Sequence, residues 1–188
     1  MPGFTFEKLD LEGAYLIENF HVGDNRGGFT KNFEKSIYRE NGIEFGLDEA
    51  FASVSSKNVI RGLHFQLKHP QAKLVCVMSG SVWDVIVDLR KDSKTYKEWR
   101  AFELSAENGK ALYVPRGFAH GFLSQEDGTV MLYLCDGKYS QETDTGIRFD
   151  DPDLNIEWPA DLSKTVHSNR DLGLPSFKEY ELNPIELI

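Results

Sequence analysis

The chain has 188 residues, of which 40% are hydrophobic and 27% charged; this suits one globular domain with a substantial core and excludes a disordered or fibrous chain. A formal net charge of −9 argues against a general binder of nucleic acid or anionic membrane, which needs a basic face, although a few inward arginines and lysines can still build a local positive field for a small anion. Cys76 and Cys135 sit in apolar, strand-like runs and read as buried, inert thiols, with a disulfide open but unsupported by any other sign of secretion. Glu7, Asp10 and Glu12 stand where a signal peptide would be basic and then apolar, and no apolar run reaches membrane-spanning length, so cytoplasm is the default expectation.

In chain order, residues 4–20 predict two strands with a turn at Glu12-Gly13, and residues 23–28 a glycine-rich loop before a strand over 29–33. Glu34 to Asn41 predicts a short helix stopped by Gly42. From Phe51 onward the pattern is nearly all strand: 52–56, 59–66, then a hairpin of 73–79 and 82–89 around Gly80-Ser81, followed by 99–104, 111–114 and 117–124. A second hairpin loop is expected at 125–128, leading into a buried strand over 129–136. After Gly146 the chain is loop-like, with one or two helical turns within 162–170 and a mixed segment over 177–188 that packs on the barrel or frays. Many short strands with turn signals about every 8–12 residues predict an all-β sandwich or barrel.

Two histidine segments stand out, Arg61-Gly62-Leu63-His64-Phe65-Gln66 with Lys73 close behind, and Pro115-Arg116-Gly117-Phe118-Ala119-His120-Gly121-Phe122. A lone strand histidine is more often a hydrogen-bonded core or surface residue than a catalytic one, and His21, His69 and His167 read that way. His64 differs because strand parity puts it on one face with Gln66, opposite Leu63 and Phe65; Asp84 and Asp88 likewise oppose Trp83, Val85 and Val87. A polar barrel interior gives this alternation, and so does a solvent-facing sheet. Parity also separates Arg61 from His64 unless Gly62 bends the strand. The spacing of Gly109, Pro115, Gly117 and His120 resembles the second motif of the cupins, small jelly-roll barrels. At the first cupin motif, Gln66 follows His64 where a second histidine is usual, and Pro70 and Gln71 stand in place of the acid. Zn²⁺ or Fe²⁺ catalysis needs about three protein ligands, so no metal and no cofactor are expected.

With these segments in view, the chain resembles the nucleotide-sugar 3,5-epimerases, the dTDP-4-dehydrorhamnose 3,5-epimerase family, from about Gly13 to Asp171. The resemblance is carried by the segments from Asp24 to Phe29, Val59 to Gln66, Gln71 to Val75, Asp84 to Arg90 and Pro115 to Phe122, by Tyr133 with Tyr139-Ser140, and by Asp150-Asp151-Pro152. It implies a single cupin-type jelly-roll domain over residues 1–188, with a few short helices, that epimerises C3 and C5 of a nucleoside-diphosphate 4-keto-6-deoxyhexose without a metal. It also implies that His64 is the base, Asp171 the carboxylate that orients it, Lys73 the stabiliser of the enolate oxygen and Tyr133 the acid on the opposite face. Arg61 and Arg26 match diphosphate-binding arginines, Arg26 reaching across a homodimer; His120 lines the sugar pocket and Tyr139 stacks on the base. Phe29, Glu49, Gln66 and Arg170 complete the implied substrate contacts, with Arg116 a weaker match. The partner is a nucleotide sugar, the setting cytoplasmic deoxysugar synthesis of the kind that supplies cell-surface polysaccharide.

The chain departs from the family where the base is read. Glu49, Ala50 and Phe51 replace the usual Gln-Asp-Asn, and Lys31 replaces a glutamate. An acceptor-only carboxylate in place of an amide favours a base edge with an exocyclic amine, such as cytosine. Three other readings stay open: a single-site epimerase or 3,4-ketoisomerase on the same fold, a non-catalytic sugar-nucleotide-binding cupin, and a metal-dependent oxygenase. His64 paired with an acid argues against the non-catalytic reading, and so does Lys73, costly to bury without a charged partner or ligand.

Overall fold

The predicted alternation becomes two facing antiparallel sheets in the computed structural model, which describes residues 3–185. With strands numbered in chain order, the six-stranded sheet runs β1 (Thr5–Lys8), β2 (Tyr15–Glu18), β10 (Lys110–Val114), β7 (Ala72–Ser79), β12 (Thr129–Asp136), β5 (Glu49–Ser55). The five-stranded sheet runs β13 (Asp144–Gly146), β6 (Ile60–Gln66), β11 (Phe118–Ser124), β8 (Ser81–Asp88), β9 (Trp99–Ser105). A hairpin of β3 (Phe20–Asp24) and β4 (Gly27–Lys31) forms a separate two-stranded sheet among the described residues. The helices are short: α1 (Lys35–Glu40), α2 (Asn169–Leu172), α3 (Phe177–Leu182) and a 3-10 turn at Leu162–Lys164.

Period-2 side chains divide the core into layers. Between the sheets lie Val75, Val77, Val82, Ile86, Leu104, Phe122 and Met131. The outer face of the six-stranded sheet buries Ile17, Leu74 and Cys76 under Tyr38 of α1 and Phe45. The outer face of the five-stranded sheet buries Leu63, Phe65, Val85 and Val87 under the C-terminal segment, through Phe149, Trp158, Phe177 and Tyr180. Residues 177–185 therefore pack on the barrel, and 186–188 lie outside the described residues. Fully burying a side chain such as Phe177 contributes roughly 1.5–3 kcal/mol. Ser176 starts α3 with a capping box to Glu179. Both cysteines are buried and free, on the outer and inner faces of the sheet respectively.

Several local expectations change. The segments flanking Gly80 are not a hairpin: β7 pairs with β10 and β12, β8 with β11 and β9, and the chain crosses between sheets at Gly80 (φ +75°). The connection at 125–128 likewise links β11 in one sheet to β12 in the other. A tight glycine turn looks the same locally whether it joins paired strands or turns a sandwich corner. The glycine-rich stretch at 23–28 is mostly strand, because β3 and β4 extend to Asp24 and from Gly27. β13 was not expected; its Gly146 pairs opposite His64.

One irregularity decides what the inner face carries. Between β6 and β11, His64 pairs with His120 and Arg61 with Phe122. Two residues of β6, Gly62 and Leu63, thus oppose Gly121 alone, which is a β-bulge. Gly62 has φ +120°, and a Cβ there would lie 2.6 Å from the Gly121 Cα; a Cβ on Gly121 would lie 2.7 Å from the Arg61 carbonyl oxygen. Only paired glycines allow this approach. The extra residue shifts strand parity, so Arg61 and His64 share the inner face with Phe122 and His120.

Candidate active site

At one end of the sandwich the inner faces separate around a cavity of about 550 Å³, within the range of small-ligand sites. The six-stranded sheet supplies Glu49, Phe51 and Ser53 from β5, Lys73 from β7 and Tyr133 from β12. The register aligns them in rows, Glu49 with Cys135 and Lys73, then Phe51 with Tyr133 and Val75, then Ser53 with Met131. The facing sheet supplies Arg61 and His64 from β6, His120 and Phe122 from β11, and Asp144 from β13. Gln71, Tyr139 and Arg170 complete the rim.

His64 Nε2 lies 2.6 Å from Asp171 Oδ1, although the residues are 107 positions apart in the chain. Ser168 caps α2, its hydroxyl oxygen accepting from the Asp171 backbone N–H at 3.0 Å, and so presents the carboxylate to β6. Burial pushes the Asp171 carboxyl up, but the His64 hydrogen bond and charge, with help from the Gly62 backbone and Ser168, outweigh it and hold the carboxyl below the ordinary value. An ionised Asp171 that accepts from Nε2–H leaves His64 Nδ1 as the basic nitrogen.

Lys73 makes no ion pair or side-chain hydrogen bond among the described residues, and desolvation lowers its pKa despite the pull of Cys135, Asp144 and Asp84. Arg61 also has no carboxylate partner among the described residues; its guanidinium donates to Ser55 Oγ at 3.0 Å and the Val54 carbonyl at 3.1 Å. Arg170 donates to Asp144 Oδ2 at 2.7 Å, an oxygen that also accepts from the Tyr139 hydroxyl at 3.1 Å. The acidic protein therefore carries a cation-rich pocket suited to an anion. His120 Nε2 lies 3.0 and 2.9 Å from the two oxygens of the fully buried Asp84. Burial raises the Asp84 carboxyl, with His120 and Lys73 pulling it down. Tyr133 is raised by burial and by Asp84's charge, against the Ser53 hydroxyl.

The expected residues divide. His64, Lys73, Tyr133, Arg61, Glu49, His120, Tyr139 and Arg170 line the cavity, with Asp171 behind His64. Gln66 does not line it. Its Nε2 donates to the His69 and Lys138 carbonyls at 3.0 and 3.2 Å, and its Oε1 accepts from Ser140 N–H at 2.6 Å. The buried amide of Gln66 is thus a clamp on the 137–140 loop rather than a free substrate contact. Glu49 shares that task, since its Oε1 accepts from Tyr139 N–H at 2.5 Å. Arg26 and Phe29 lie on the β3–β4 hairpin, outside this cavity, where Arg26 pairs with Asp24 at 2.6 Å. Arg116 is engaged by Asp136 at 2.7 Å and by the Pro70 carbonyl. Sequence reasoning missed Asp144, which sits in the unexpected β13, and placed Phe51 only among the departures. Among the described residues, no group of three or more His, Cys, Asp or Glu side chains converges as a metal site.

The depressed pKa of Lys73 has a consequence for stability. The folded state disfavours the ammonium, so the penalty is full below the folded pKa and vanishes as pH rises past the unfolded value of about 10.4. Lys73→Met is expected to raise stability by about 1 kcal/mol at neutral pH, with the gain shrinking in alkali. Denaturant melts at neutral and alkaline pH check this, and a destabilised variant would show that the ammonium is satisfied.

Comparison with known proteins agrees with this geometry. The family model for dTDP-4-dehydrorhamnose 3,5-epimerase matches residues 8–179. The dTDP-4-dehydrorhamnose 3,5-epimerase of Methanothermobacter thermautotrophicus is 43% identical over 188 residues, all of both chains. The crystal structure of Legionella pneumophila dTDP-6-deoxy-D-glucose-3,5-epimerase in complex with dTDP-4-keto-L-rhamnose superposes with TM-score 0.91 at 34% identity, covering 98% of this chain and 100% of that one. The Bacillus anthracis dTDP-4-dehydrorhamnose 3,5-epimerase with TDP and pyrophosphate bound gives TM-score 0.88 at 39% identity, over 93% and 99% of the two chains. The two-sheet sandwich is thus the cupin-type jelly roll expected from the sequence, and the chain belongs to the dTDP-4-dehydrorhamnose 3,5-epimerase family.

Proposed function

We propose that the protein is an isomerase that inverts C3 and C5 of dTDP-4-dehydro-6-deoxy-D-glucose to give dTDP-4-dehydro-L-rhamnose. One observation carries the reading: His64 and Tyr133 reach a single cavity from opposite sheets, with Lys73, which has no ion pair among the described residues, in the same space. The C4 ketone acidifies the protons on C3 and C5. His64, oriented by Asp171, removes one of them. The enolate oxygen gains negative charge, which the Lys73 ammonium stabilises. Inversion then requires a donor on the other face, and the Tyr133 hydroxyl supplies the proton. The protons are restored from solvent, so the cycle needs no oxidant or reductant.

Arg61 and Arg170 suit the diphosphate, and the half-exposed ring of Tyr139 offers a stacking face for the base. Glu49 is read as an anchor of the Tyr139 loop rather than as a selector for cytosine, because a backbone N–H already engages its carboxylate. We read residues 1–188 as one epimerase domain working in the cytoplasm as a homodimer, with Arg26 completing the partner's site. The free-standing β3–β4 hairpin, with Val22 and Phe29 exposed on it, supports the dimer, as does the half-exposed Phe51 and exposed Val54 on the edge strand β5.

His64→Ala is expected to slow turnover by at least about 10²-fold. Tyr133→Phe should still wash solvent deuterium into the sugar while losing inverted product; full inversion at both carbons without this hydroxyl would remove Tyr133 as the acid. Sedimentation should give a dimer, and Arg26→Ala should raise KM more than it lowers kcat. A fully active monomer would remove Arg26 from the site.

A further inference from the structure

Phe51 occupies an odd position for a bare aromatic. It sits on the edge strand β5, 48% exposed, at the wall of the cavity. The β5–β12 register places it directly opposite Tyr133, and the two rings stack with centroids 4.7 Å apart and planes 14° apart. On another side the His120 ring meets Tyr133 edge-on, with centroids at 6.0 Å and planes at 77°. His120 is itself fixed by the buried Asp84. The phenol ring is thus held in an aromatic slot with one fixed wall, His120, and one wall open to solvent, Phe51. Tyr133 is only 8% exposed, and Phe51 covers one face of its ring.

We propose that Phe51 is a positioning residue for Tyr133, and through it a determinant of how reprotonation divides between C3 and C5. The inference rests on the proposed epimerase reading and adds to it a residue outside the base, acid and enolate-binding set. The two carbons flank the same ketone, so an acid serving both from one place must be held within a narrow range. A displacement of about 1 Å can change a rate by about 10²-fold. Removing the stacked wall frees the Tyr133 ring to move toward β5, away from His120, and that motion affects the two carbons unequally. His64, on the opposite sheet, is untouched, so proton removal continues. A cross-strand aromatic pair that merely stiffened the sheet edge would add to stability and leave the division of product unchanged.

The test compares Phe51→Ala and Phe51→Tyr with the unaltered protein on dTDP-4-keto-6-deoxyglucose. Proton NMR follows inversion at each carbon, and ring-labelled tyrosine, assigned with Tyr133→Phe, reports on the phenol itself. Phe51→Ala is expected to shift the C3-to-C5 inversion ratio by about tenfold and to move the Tyr133 ring resonances as the stacking shift is lost. Phe51→Tyr, which keeps a stackable ring, should hold the ratio near that of the unaltered protein. An equal fall at both carbons in Phe51→Ala, or a ratio shift as large in Phe51→Tyr, overturns the inference and leaves the epimerase reading standing. Unmoved Tyr133 resonances in Phe51→Ala overturn the stacking itself. Absence of inversion in the unaltered protein refutes the epimerase reading and, with it, the role given to Phe51.

Discussion

The site depends on one extra residue. Gly62 and Leu63 face Gly121 alone, and that bulge turns Arg61 onto the inner face beside His64. Without it, β6 would offer the cavity either the cation or the base. The backbones meet so closely that neither glycine has room for a side chain. The same strand receives β13 on its other edge, through Gly146 opposite His64, and β13 brings Asp144 to the rim. A packing constraint between two backbones therefore gathers the base, an anion-binding cation and part of the rim into one place.

Charge is distributed in the same spirit. The surface is acidic, while the cavity holds Arg61 and Lys73 without carboxylate partners among the described residues. Carboxylates near the chemistry are each committed: Asp171 to His64, Asp84 to His120, Asp144 to Arg170 and Glu49 to the Tyr139 backbone. The positive groups left over are those that an anionic substrate and a developing enolate would use. Burial without a partner disfavours the Lys73 ammonium, and that local instability is what a negative charge in the cavity would relieve.

Much of this is legible in the sequence. Strand alternation separates Asp84 from its apolar neighbours without saying whether its face is interior or solvent, and the parity conflict between Arg61 and His64 points to a bend at Gly62. What stayed hidden was non-local. The turn at Gly80 carries no local sign of joining two sheets, and β13 is too short, at Asp144–Gly146, to give a periodic signal. Asp171 was reached only through resemblance, because nothing in its own neighbourhood says which strand α2 will meet. Gln66 shares the parity of His64, yet its amide is taken up by the 137–140 loop, and Glu49, which does line the cavity, also accepts from that loop's Tyr139 N–H. Phe51 was noticed as a departure, but its stacking on Tyr133 follows from the register of two strands far apart in sequence.

The most direct measurement is proton NMR of the unaltered protein with dTDP-4-keto-6-deoxyglucose in D₂O. A base and an acid on opposing sheets around one ketone predict deuterium at both C3 and C5, with product inverted at each. Bound nucleotide sugar that keeps both protons would contradict them.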